Sequence, residues 1–124
     1  MQVPILKQGD YLIASIQTAL TDADLRQLQD DLVKRVSLAR SRGVIIDVTA
    51  LDVLDSFACR TLSGIAQMTR LRGAETLIVG IQPDVAFAMV QMGLRLEGVT
   101  TTLDLEEGLD WLSRKMAEGR RRGD

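Results

Sequence analysis

The stretch Asp52-Val53-Leu54-Asp55-Ser56-Phe57-Ala58 holds the residues of this 124-residue chain best spaced for chemistry. A serine hydroxyl where a strand gives way to a helix is exposed and within reach of a kinase. A phosphate there would add about −1.5 to −2 charges at pH 7. On spacing alone the same hydroxyl reads more readily as a helix N-cap, worth about 1 kcal/mol of helix stability, and the two roles are compatible. The helix N-terminus favours the added charge, whereas Asp55 next door and Asp52 oppose it, so the expected consequence is a changed surface rather than a refolded domain. A partner that packed the neutral hydroxyl against apolar or acidic surface would meet an unpaired dianion and leave.

Other chemistry finds few of the groups it requires. The chain has no His and a single Cys, Cys59. Zinc sites, Ser-His-Asp triads and Cys-His pairs are thereby excluded, as is a disulfide within the chain, and no metal or cofactor is expected. Cys59 falls in the first turn of the same helix. The residue six beyond it is Ile65 rather than the Arg of a cysteine phosphatase cradle, so it reads as a small buried thiol. No Gly is followed by Lys, which removes a P-loop, and residues 49–55 lack the glycines of a dinucleotide fingerprint. Asp47 ends a strand as the phospho-acceptor of a receiver domain does. The acidic pair and Lys of that site are missing, so Asp47 is expected to accept backbone N–H bonds in the loop it begins. A small enzyme or nucleotide-binding domain would have to work with Asp47, Asp55 and Arg60, and stands as the competing hypothesis.

The elements that must position these residues follow from hydrophobic spacing. Val3 to Lys7 and Tyr11 to Ile16 read as a hairpin turned at Gln8-Gly9-Asp10, with Pro4 on an edge strand. Thr21 caps a helix whose apolar stripe is Leu25, Leu28, Leu32, Val36 and Ala39, ended by Arg40, Arg42 and Gly43. Val44 to Val48 and Thr76 to Gly80 are strands covered on both faces. Between them a helix runs from Ser56 to about Arg72, with Ser56 as its cap and Gly73 as its stop. Pro83 opens a helix closed by Gly93, Val99 to Leu103 form a last strand, and Leu105, Leu109, Leu112 and Met116 mark a C-terminal helix. This alternation predicts an α/β domain with a mainly parallel mixed sheet, an antiparallel edge hairpin and about four helices.

A chain of this length buries roughly two-thirds of its unfolded surface around one core, so residues 1–118 are expected to form a single domain. The Arg-rich tail, residues 119–124, lacks apolar anchors and is expected to be disordered. With 15 basic and 17 acidic residues and 3% aromatics, the chain offers little to nucleic acid. The apolar run Val3 to Leu6 is far short of a membrane span, which predicts a cytoplasmic protein. Thr100-Thr101-Thr102 reads as β-branched strand filling, and Met89, Val90 and Met92 as either core or partner surface.

With these residues in hand, the chain resembles the STAS-domain family of anti-anti-sigma factors over nearly its whole length. The resemblance rests on Val3-Pro4-Ile5-Leu6-Lys7, on Val44-Ile45-Ile46-Asp47-Val48 through Leu54-Asp55-Ser56-Phe57, on Gly80-Ile81-Gln82-Pro83, and on Met92-Gly93-Leu94 followed by Leu105 to Leu109. It implies the STAS fold, Ser56 as phospho-acceptor, and Asp55 and Phe57 beside it as partner-binding residues. Thr49 is implied as a possible secondary acceptor, while Thr61 lies inside the helix. Phe57 and Ala58 stand where ordinary anti-anti-sigma factors carry a second hydroxyl residue and a Gly, which favours the stressosome scaffold branch over a direct anti-sigma-factor binder. That branch implies a non-catalytic protein which assembles, as a homo- or hetero-oligomer, with sensor proteins bearing a similar C-terminal domain. It further implies that the assembly holds a switch serine kinase until phosphorylation and is reset by a phosphatase, with no nucleic acid or membrane involved.

Overall fold

A computed structural model describes residues 2–123. The chain runs β1 (Ile5–Gln8), β2 (Tyr11–Ser15), α1 (Asp22–Ala39), β3 (Gly43–Asp47), α2 (Ser56–Arg70), β4 (Glu75–Val79), α3 (Pro83–Gln91), β5 (Thr100–Thr102) and α4 (Leu105–Gly123). The five strands form one sheet in the order β1-β2-β3-β4-β5. Only β1 pairs antiparallel, while β2 through β5 are mutually parallel. Gln8 pairs with Tyr11, leaving Gly9-Asp10 as a two-residue hairpin turn that Gly9 makes possible with φ of 60°. The expected mixed sheet, edge hairpin and four helices are all present.

Alternation along the strands divides the core in two. Val44 and Ile46 of β3 face a layer built from Leu25, Leu28, Leu32 and Val36 of α1, Leu62 and Ile65 of α2, and Val85 and Met89 of α3. Ile45, Leu77 and Val79 face the opposite way, onto Leu112 of α4 with Leu105, Leu109 and Trp111 packed around it. Burial on both faces explains why β3 and β4 read as continuous apolar runs. Thr21 caps α1 through a full capping box, its hydroxyl accepting from Asp24 N at 3.0 Å while Asp24 accepts from Thr21 N at 3.1 Å.

Two expectations about element ends need correction. Gly43 does not stop α1. Arg40 does, in the left-handed conformation (φ 51°, ψ 41°), and Gly43 begins β3. The reason lies across the sheet, where a Cβ on Gly43 would come within 2.7 Å of the Leu112 side chain and 3.0 Å of Tyr11. The last strand is shorter than Val99 to Leu103, because only Thr100 to Thr102 pair with β4. At the chain end, α4 extends to Gly123.

Candidate functional site

The loop over residues 48–55 leaves the carboxyl end of β3 and is held from three sides. Asp47 Oδ1 accepts from Thr49 N at 2.9 Å and from Thr49 Oγ1 at 2.6 Å, the role expected of that carboxylate. Leu51 and Leu54 are buried and anchor the loop in the core beneath it. From the β4–α3 connection, Gln82 Nε2 donates to Thr49 O at 2.7 Å, and Gly80 passes so close to Thr49 that a Cβ would overlap its Oγ1. Gly80 has φ of 81°, which suits only glycine well. The Gly80-Ile81-Gln82-Pro83 segment therefore buttresses the loop that carries Ser56.

Asp55, and not Ser56, is the N-cap of α2. Its backbone is extended (φ −82°, ψ −179°), and Oδ1 accepts from Ala58 N at 2.8 Å. A carboxylate at that position supplies both an acceptor and a negative charge to the helix N-terminus. Ser56 thus becomes the first helical residue. It is exposed, and its hydroxyl has no hydrogen-bond partner among the described residues. Sequence spacing assigned the cap one residue too late, since Asp and Ser cap about equally well and stand side by side here.

The surroundings of Ser56 differ on its two sides. Phe57 is half-buried against the core, and the Arg26 guanidinium of α1 lies 5.3 Å from its ring centroid, tying α1 to the start of α2. An apolar pocket of about 110 Å³ lies beside Asp55, lined by Leu20, Leu51, Val53 and Ala58. Val53 at its rim is 71% exposed. Towards the other side opens a polar groove of about 490 Å³, lined by Ser56 with Arg60, Ser63, Gln67, Arg95 and Glu97. Arg60 and Arg95 form no ion pair among the described residues. Neither the Arg26 contact nor this groove was anticipated from the sequence, because Arg26 and Arg95 are far from Ser56 along the chain.

The remaining hydroxyls and the thiol are engaged internally. Thr49 is exposed, but its hydroxyl is committed to Asp47 and its contacts run to Gly80 and Gln82. Thr61 is buried and donates to Phe57 O at 2.9 Å. Cys59 is 2% exposed, and burial pushes its thiol above the ordinary value, with the charge of Asp55 adding to the shift. Asp47 Oδ1 is taken up by Thr49, while Arg60 lines the groove beside Ser56, which Asp47 does not line. Among the described residues no group of three or more carboxylates or thiols is placed to hold a metal ion, and no helix is long and apolar enough to cross a membrane.

The sequence profile of the STAS domain matches residues 2–108 of the chain. The chain belongs to the STAS family. Among curated proteins, the STAS domain described here is similar to the RsbT co-antagonist protein RsbRA of Bacillus subtilis (strain 168). The two are 31% identical over 84 residues, covering 68% of this chain and 31% of that protein. RsbRD of the same organism is 25% identical over 84 residues, covering 68% of this chain and 30% of that protein. The chain spans about a third of the length of these curated relatives. Among solved structures, it resembles RsbS from Moorella thermoacetica, in a serine-to-glutamate variant, at 36% identity and a TM-score of 0.79, covering 93% of this chain and 97% of that one. A chain in the molecular architecture of the stressosome, a signal integration and transduction hub, matches at 36% identity and a TM-score of 0.74, covering 91% and 98%. The anti-sigma factor antagonist SpoIIAA, at 12% identity and a TM-score of 0.67, shares the fold.

Proposed function

We propose that this STAS domain is a non-catalytic, cytoplasmic scaffold of a stress-signalling assembly, in which Ser56 is the point of modification and Asp55 and Phe57 border the docking face. Its neighbours in the assembly are sensor proteins with a similar C-terminal STAS domain, a class to which its likeness to RsbRA points. The complex holds a switch serine kinase. Phosphorylation of Ser56 releases that kinase, and a phosphatase resets the scaffold.

One observation carries the reading: the Ser56 hydroxyl is exposed and has no partner among the described residues, because Asp55 has taken over the capping role. A phosphate can therefore be added without breaking a helix cap. Its two charges stand beside Asp55 and near Asp52, on a loop braced by Gln82 and Gly80, so the backbone has little reason to move. A surface docked against the neutral hydroxyl would then face like charge or an unpaired dianion. Thr49 is a poorer acceptor, since modification would break its bond to Asp47.

Incubation of the full chain with its cognate switch kinase and ATP, followed by mass-spectrometric mapping, is expected to place the phosphate on Ser56. Labelling is expected to vanish in Ser56→Ala. Modification confined to other residues, unaffected by that substitution, would overturn the reading. In a pull-down, capture of an anti-sigma factor instead of a serine kinase would assign the domain to direct sigma-factor control.

A further inference from the structure

We propose that the groove at the amino ends of β3 and β4, at the opposite end of the sheet from Ser56, is a binding site for a tetrahedral oxyanion of the phosphate type. The groove has a volume of about 390 Å³ and is lined by Arg40, Ser41, Arg42, Arg72 and Gly73, with Ser37 at its edge. Three arginines thus line it from two separate connections, α1 to β3 and α2 to β4. None of the three forms an ion pair among the described residues, and no carboxylate lines the groove. Asp30 lies in the adjoining groove that shares Ser37 and Arg72 without pairing to Arg72.

A second, independent deficit sits in the same place. Ser41 is 3% exposed, and its hydroxyl is the one buried side-chain polar atom without a hydrogen-bond partner among the described residues. Buried hydroxyls are ordinarily paired, because leaving one unsatisfied costs its full desolvation. Three like charges in one groove also repel one another. A single anion bound there would relieve the mutual repulsion and offer an acceptor to the Ser41 hydroxyl, whose residue lines the same groove.

The fixed parts of the groove suit such a ligand. Its backbone donors are already used, Ser41 N on Val36 O at 3.3 Å, Arg42 N on Asp10 O at 2.8 Å and Gly73 N on Arg70 O at 2.9 Å, so the walls are held and the side chains alone remain to bind. Guanidinium forks match phosphate oxygens bidentately. A planar carboxylate offers two oxygens in one plane and satisfies one fork. A tetrahedral dianion presents oxygens in several directions and can meet three.

The test is a titration of the full chain with inorganic phosphate at constant ionic strength, followed by amide chemical shifts. Expected are saturable shifts at Arg40, Ser41, Arg42 and Gly73, with none at Ser56, and sulfate should behave alike while acetate and chloride do not. The double substitution Arg40→Gln with Arg72→Gln should weaken phosphate binding at least about tenfold, as loss of charge-assisted bonds requires. Ser41→Ala should weaken phosphate binding without lowering stability in phosphate-free buffer, a pairing that a purely structural serine would not produce. Further arms with ATP and with a phosphoserine peptide distinguish the source of the phosphoryl group, and tighter binding of either than of phosphate supports the site and names its ligand. Equal effects of phosphate, acetate and chloride, or phosphate binding unchanged in the double variant, would overturn the proposal. Neither result bears on Ser56, whose modification is read separately.

Discussion

The two ends of the sheet handle their polar groups in opposite ways. At the carboxyl end, each carboxylate that shapes the loop has an internal partner, Asp47 on Thr49 and Asp55 on Ala58 N, so that one uncharged hydroxyl is left free at the surface. At the amino end the hydroxyl of Ser41 is enclosed while Arg40, Arg42 and Arg72 are left without counter-ions among the described residues. Local structure satisfies the charges in one place and the chain path in the other. What remains unsatisfied marks where an outside group would act. Under the proposed function that group would be a phosphate added covalently to the neutral surface at Ser56, and under the proposed anion site it would be an ion that arrives at the arginine groove already charged.

The largest effect at the carboxyl end is expected from Gly80→Ala. The new Cβ would overlap Thr49 Oγ1 and sit at φ of 81°, so we expect a loss of about 3 kcal/mol by chemical denaturation from overlap and backbone strain together. Amide shift changes should gather around residues 47–56 and leave Arg40 and Gly73 unmoved. A smaller effect separates the cap from the acceptor. Asp55→Ala should cost about 1 kcal/mol, whereas Ser56→Ala should stay within about 0.5 kcal/mol of the parent. The reverse order would return the capping role to Ser56.

Cys59 supplies the weakest effect, through pH. Its thiol is held above its ordinary value in the folded chain, so the folded state binds that proton more tightly than the unfolded state does. The associated stability is fully present below the unfolded thiol's value of about 8.5 and declines as pH rises through the folded one. Denaturation midpoints measured from pH 7 to 10 should therefore fall more steeply for the parent than for Cys59→Ala. In the folded chain at pH 8, a thiol reagent should label Cys59 far more slowly than in denaturant.

Much of this architecture was legible from residue patterns. The period-3.6 stripe of α1, the doubly covered runs of β3 and β4, and Pro83 at the first turn of α3 each express one local rule, and each element stands where that rule puts it. Element ends were less legible. Gly43 reads as a stop signal along the chain, but its small size answers Leu112 and Tyr11 across the sheet. The same holds at the candidate site. Asp55-Ser56 announced a helix start, yet which residue caps depends on a backbone angle that spacing does not encode. The brace from Gln82 to Thr49 spans 33 residues, and the arginine groove joins residues from two connections, so neither leaves a signal within any short window.

On the proposed function, charge on Ser56 releases a partner without reshaping the domain. Its most direct test is to prepare the chain unmodified and stoichiometrically phosphorylated at Ser56, then to measure affinity for the cognate kinase alongside the amide spectrum of each form. The expected result is an affinity at least about a hundredfold weaker after phosphorylation, a loss of roughly 2.7 kcal/mol, with spectral changes confined to the start of α2 and the loop before it. Equal affinity for both forms, or release accompanied by shifts throughout the sheet, would contradict the account.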